Sequence, residues 1–239
     1  MTAVVALMLA MSSADAVATI LNSPNSTDVQ TYKEAQETVL REASEGKPLQ
    51  QFVVGVTTED KKLSGKYLEA SRGKIKLLAE QKDNPLAWYL LSLESNDMDF
   101  LRKAAMRDNV QALNALGTIE MSQAFSPGGM ISTNDLPTIL GHCFSLFKRA
   151  AAQNDPNGYI NLGTCYLRGL GCEKNLPMAF ECFQTAAKAG HPEGMDNVSA
   201  CYQFGHGVEK DSEQSLVWAM RGRAARGDAA AAKWLKSRK

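Results

Sequence analysis

An all-α solenoid of stacked antiparallel helix pairs is the fold class this 239-residue sequence predicts, and three observations predict it. First, Phe147–Ala179 moved forward by 36 residues falls on Phe183–Ser215 with 12 of 33 positions identical. The identities include Ala150-Ala151 with Ala186-Ala187, Pro156 with Pro192, and Cys165-Tyr166 with Cys201-Tyr202. They also include the Gly-x-Gly turns Gly169/Gly171 and Gly205/Gly207. A period in this range marks a stacked repeat. Second, five segments align behind a proline or its stand-in: Lys47–Gly55, Asn84–Ser92, Asn109–Gly117, Asp155–Gly163 and His191–Ser199. Third, six places after that position stand Val54, Leu91, Leu116, Leu162 and Val198, all aliphatic, and seven places after it Gly55, Ser92, Gly117, Gly163 and Ser199, all small. A small residue lets a neighbouring helix come close while the aliphatic one beside it fills the interior.

Taken in order, the chain opens on an apolar leader, expected over residues 1–22. Met1–Met11 is apolar and uncharged, and Ala14-Asp15-Ala16 follows as a small-x-small site. This is the hydrophobic stretch and cleavage region of an export signal without its leading positive charge, so the chain is expected to be exported, periplasmic or secreted. The alternative is a cytoplasmic protein whose apolar N-terminal helix packs on the first repeat. The run is too short to span a bilayer, and no stable membrane span is expected.

Residues 23–30 are polar and turn-rich and are expected to form a linker. Degenerate helical repeats follow over 31–108. A helix from Thr31 stops at Gly46, and Pro48 starts the next in the position where a missing N–H is harmless. Better-formed repeats fill 109–239. The copies are spaced 37, 25, 46 and 36 residues apart. The short interval shrinks the turn near Ser95–Asp99, and the long one carries the insertion Ser126–Pro137. Variable turns between regular helices are what a solenoid tolerates. A helix after Ser212, then Gly227-Asp228 and a basic closing helix, reads as an exposed cap.

Formal net charge is zero and no long basic run appears, so electrostatics gives no case for nucleic acid or an anionic membrane.

The run Ala186–Asp211, AAKAGHPEGMDNVSACYQFGHGVEKD, and after it Ala150–Asn175, resemble the Sel1-like repeat, a relative of the tetratricopeptide repeat. The resemblance covers about residues 100–239. Cys172 stands where the family has valine, Ser199 where it has glycine, and the third copy lacks a clean Gly-x-Gly. The resemblance implies right-handed stacking and an adaptor role. In bacteria it also implies, for many members, export and work in envelope signalling or host contact. Some cysteine-rich secreted relatives are linked to binding or hydrolysis of β-lactams, and those place a cysteine pair in every repeat to clamp adjoining helices.

Five cysteines, Cys143, Cys165, Cys172, Cys182 and Cys201, are too irregular for that framework. Packing is the first explanation, with a Cys165–Cys182 bridge as the alternative in an oxidising compartment. No Cys-x-x-Cys pair supports zinc, and His142, His191 and His206 are scattered. Neither Gly-x-Gly follows a predicted strand, so the nucleotide fingerprint fails on context. No catalytic residue, metal or cofactor is assigned.

Binding is left to the surface. Positions one, four, five and eight after the proline-like residue share one side of each first helix, opposite the aliphatic column. In tetratricopeptide relatives that side lines the concave groove. The fourth copy places Asn157, Ile160, Asn161 and Thr164 there, with Arg168 a turn on; the fifth, Glu193, Asp196 and Asn197. The second adds Tyr89 among leucines, and the first an apolar set around Phe52 and Val53. Asparagine amides both donate to and accept from an extended backbone, so the expected partner is a protein or peptide held at the C-terminal half. The apolar half is expected to be covered. The expected function is a non-enzymatic interaction scaffold. The alternatives are an exported small-molecule binder or hydrolase and a structural subunit of an envelope complex.

Overall fold

Among the described residues, six helix starts carry proline at the first or second position, four of them behind an Asp or Asn. The computed structural model describes Leu21, residues 29–126 and residues 134–238. The leader, most of the linker and the centre of the insertion lie outside these. Twelve helices occupy the described residues: α1 Val29–Ser44, α2 Pro48–Thr57, α3 Lys61–Lys82, α4 Pro85–Ser95, α5 Met98–Met106, α6 Val110–Ala124, α7 Leu136–Ala151, α8 Pro156–Arg168, α9 Leu176–Lys188, α10 Pro192–Phe204, α11 Ser212–Ala225 and α12 Ala229–Lys236. No strand occurs among the described residues. The five aligned segments are the starts of α2, α4, α6, α8 and α10, and all five aliphatic residues of the first column are buried. The chain divides between Asn109 and Val110 into two compact units.

In the first unit α1 packs on α2, α2 pairs with α3, and α4 with α5. Phe52 and Val53 are fully buried in this stack, which covers the apolar face of α2. Gly55 lies against Leu68 of α3. In α4, Trp88 packs on Phe100 of α5 at 5.4 Å, and its indole N–H donates to Asp83, 3.2 Å away.

In the second unit α6 pairs with α7, α8 with α9 and α10 with α11, and α12 packs on α11. The 36-residue period of the sequence recurs as geometry. Phe144 meets Tyr166 edge-on at 5.5 Å, and Phe180 meets Tyr202 the same way at 5.5 Å. Phe147 lies over Gly117 and Phe183 over Gly163, both rings buried, where truncation costs about 3–5 kcal/mol. Asp155 and Asn175 cap α8 and α9 with their side chains, and Asp211 and Asp228 cap α11 and α12. Each such cap is worth about 1 kcal/mol.

The Gly-x-Gly turns close the long repeats. Gly169 and Gly205 end α8 and α10 in the left-handed conformation, donating to Cys165 and Cys201 carbonyls at 2.8 Å. Gly171 and Gly207, also left-handed, press against the Leu140 and Leu176 carbonyls, where no Cβ would fit.

Candidate functional site

First helices α6, α8 and α10 lie side by side in the second unit. A polar seam joins the first two. The Asn161 amide donates to Asn114 Oδ1 at 3.3 Å, and Asn114 Nδ2 donates to Asp155 Oδ2 at 2.8 Å. Asp155 is buried and also accepts the Gly158 N–H at 2.7 Å, so the cap of α8 doubles as the anchor of the seam. Beside Asn161 opens a pocket of about 280 Å³ lined by Thr118, Met121, Ser122, Phe125, Phe147 and Asn161. Phe147 forms a buried floor, while Phe125 is 55% exposed. Farther along α8, the Thr164 hydroxyl donates to its own helix at Ile160, and Arg168 stands exposed in the last turn.

On α10 the polar groups look elsewhere. Asp196 pairs with Arg226 just past α11, and its carboxylate lies against Gly222. Ser199 donates to the Ser215 carbonyl at 2.8 Å. Glu193 is exposed, and Asn157 on α8 and Asn197 on α10 are half-buried. His191 holds the position that Asp155 holds one repeat earlier, yet it makes no cap bond, and its Nδ1 is buried without a partner. Burial pulls the His191 pKa down, against the pull of Glu193 and Asp155.

The Sel1 repeat family model matches residues 140–155, 156–191 and 192–219. Residues 140–219 are Sel1 repeats. The match falls on α7 to α11, whose shared turns and ring pairs have the period described above. Solved structures similar to the chain include the following two. One is a Sel1 repeat protein from Oxalobacter formigenes, 22% identical, with 54% of this chain and 90% of that one covered and a TM-score of 0.45. The other is a protective antigen present in uropathogenic Escherichia coli strains and displaying an SLR fold. It is 18% identical at a TM-score of 0.51, with 86% of this chain covered and 47% of the antigen, so the chain spans about half the antigen's length. That likeness shows the same α-solenoid of helix pairs beyond the Sel1 repeats. No curated protein sequence matches the chain. Sel1 repeats generally mediate contacts between proteins.

Against this geometry, part of the expected open face needs correction. Tyr89 and Ile160, expected on an open face, are 8% and 5% exposed. A first helix such as α8 is packed by the second helices before and after it, α7 and α9, so its covered arc is wider than the aliphatic column alone implies. Tyr89 is enclosed in the first unit, and burial pushes its phenol pKa up. Asp196, expected on the same face, is paired with Arg226 instead. The Cys165–Cys182 bridge is not formed, because all five cysteines are free thiols.

Cys143, Cys165 and Cys182 instead share one apolar cluster with Cys172 at its edge. Burial raises Cys165 to about 12, and Cys143, Cys182 and Cys201 to about 11. Thiols this protonated are packing groups at neutral pH. Among the described residues no group of three or more His, Cys, Asp or Glu side chains is placed to hold a metal ion. No helix among them is long and apolar enough to cross a membrane.

The structure brings Asn161 together with residues the sequence reading passed over: Asn114, Thr118, Met121, Ser122 and Phe125. All sit on the third copy, which lacks the Gly-x-Gly turn. Its offsets carry the missing signal, since Asn114 and Thr118 follow Val110 by four and eight places, as Ile160 and Thr164 follow Pro156.

Proposed function

We propose that the chain is a non-enzymatic scaffold that binds an extended segment of a partner protein along α6, α8 and α10. The observation that carries this reading is the Asn114–Asn161 amide pair bordering the pocket over Phe147. Amides at the rim pair with a peptide backbone while the apolar floor takes a side chain. Rigid helices hold both, so little ordering entropy is lost on binding. The general role of Sel1 repeats supports the same class of partner. Affinity capture with the full chain, against the double variant Asn161→Ala with Asn197→Ala, tests it. A protein retained by the wild type and lost by the folded variant is the expected result. The same partner on both places binding elsewhere; capture by neither ends the scaffold reading.

A further inference from the structure

We propose that the pocket beside Asn161 takes a large apolar side chain of the bound segment, and that Arg168 takes an acidic side chain close to it in sequence. The partner is thus a protein presenting a short apolar–acidic motif. This rests on the groove reading above and adds the chemistry of what fills it.

Size argues first. About 280 Å³ leaves room for one large side chain, at the lower edge of the roughly 300–1,000 Å³ of small-molecule sites. Its apolar walls are Met121, Phe125 and Phe147, and the exposed Phe125 ring would lose its contact with water under a bound aromatic or aliphatic group. Thr118, Ser122 and Asn161 supply neutral hydrogen-bonding groups at the rim, and no carboxylate lines the pocket.

Charge argues second. The arginines farther along this unit are engaged: Arg223 with Asp228, Arg226 with Asp196, Arg238 with Glu213, and Arg221 stacked on Trp218. Arg168 is exposed and has no ion pair among the described residues. A guanidinium matches a carboxylate with two parallel hydrogen bonds, which makes an acidic side chain its natural complement.

Register joins the two. Asn161 and Arg168 are seven residues apart, so they share one face of α8, about 10 Å apart along its axis. An extended chain advances about 3.3 Å per residue. With the reach of the arginine stem, the acidic residue falls about two to four positions from the apolar one.

The test is an immobilised array of random nine-residue peptides probed with the full chain. The wild type is expected to select peptides pairing Phe, Leu, Met or Trp with Asp or Glu at that spacing, and to bind them about tenfold better than versions with the acid replaced by alanine. Arg168→Glu should exchange the acidic preference for Lys or Arg and keep the apolar one, and Phe125→Ser should weaken the apolar one. Both side chains are exposed, so the variants are expected to fold, and circular dichroism of each is the check. Selected peptides that lack an acidic position, or whose binding ignores Arg168→Glu, overturn the motif. If those peptides are still lost by Asn161→Ala with Asn197→Ala, the groove reading survives alone. Absence of any selection, or selection unmoved by all these variants, overturns both.

Discussion

The repeat that opens at α8 and the repeat that opens at α10 are built on one plan and finished differently. In both, a glycine near the start of the first helix crosses the alanine pair of the preceding helix. A Cβ at Gly158 would lie 2.6 Å from the Ala151 nitrogen, and one at Gly194 2.7 Å from the Ala187 nitrogen. Both close with the same glycine turn and the same edge-on ring pair. Their polar groups part company. Asp155 caps its helix and reaches α6 through Asn114, while His191 caps nothing and its neighbour Asp196 turns to Arg226. Packing is therefore repeated and polar satisfaction is local: the amides of α6 and α8 bond to one another, while the carboxylate on α10 pairs with an arginine beyond α11.

The plan breaks most severely at the turns. Gly207→Ala is expected to destabilise by about 2–4 kcal/mol, from the left-handed backbone and from collision with the Leu176 carbonyl. Gly205→Ala, equally left-handed but facing the flexible Lys210 side chain, should lose only about 1–2 kcal/mol. Urea unfolding of the two variants measures the difference, and equal losses would show that the carbonyl contact is unimportant.

A smaller effect separates the caps. Asp155→Ala should lose about 1–2 kcal/mol because it frees the Gly158 N–H and removes a partner of Asn114. His191→Asp should gain about 0.5–1 kcal/mol by supplying the bond that α10 lacks. A loss at His191→Asp in the same melts would mean that the imidazole packs better than a cap bonds.

The smallest effect is a pH dependence confined to the α10 repeat. Burial lowers the His191 pKa in the folded chain, with Arg226 adding to it and Glu193 and Asp155 opposing. The unfolded chain keeps the ordinary value of about 6.5 and binds the proton first as pH falls. Stability from this group is present above that value and is lost as pH drops through the folded pKa. His191→Asn should flatten the slope of stability against pH below about 6.5 relative to wild type, and an unchanged slope would remove His191 as its source.

Most of the fold was legible because its signals are local. A proline behind Asp155 or Asn84, an aliphatic residue six places on and a small one seven places on each act within two turns of helix. Glycine pairs announced the turns for the same reason. The candidate site was less legible because its residues meet across long separations: Asn161 and Asn114 are 47 residues apart. The helical wheel put Ile160 and Tyr89 on an open face, where they are not, because exposure depends on helices packed from both sides, which no single segment encodes. Thr118 and Phe125 were hidden by the weak third copy, although its register was readable at Leu116 and Gly117.

The crossing of Gly158 and Gly194 over the alanine pairs has a mechanical meaning as well. A joint made of main chain against main chain has no rotamers to turn, so it cannot yield by degrees. Side chains meet instead at Phe147 under the pocket and at Phe183 beyond it, each ring set against a glycine of a neighbouring helix. The ring under the pocket is thus also part of the seam between α6 and α7, so trimming Phe147 would disturb the pocket and the stacking at once.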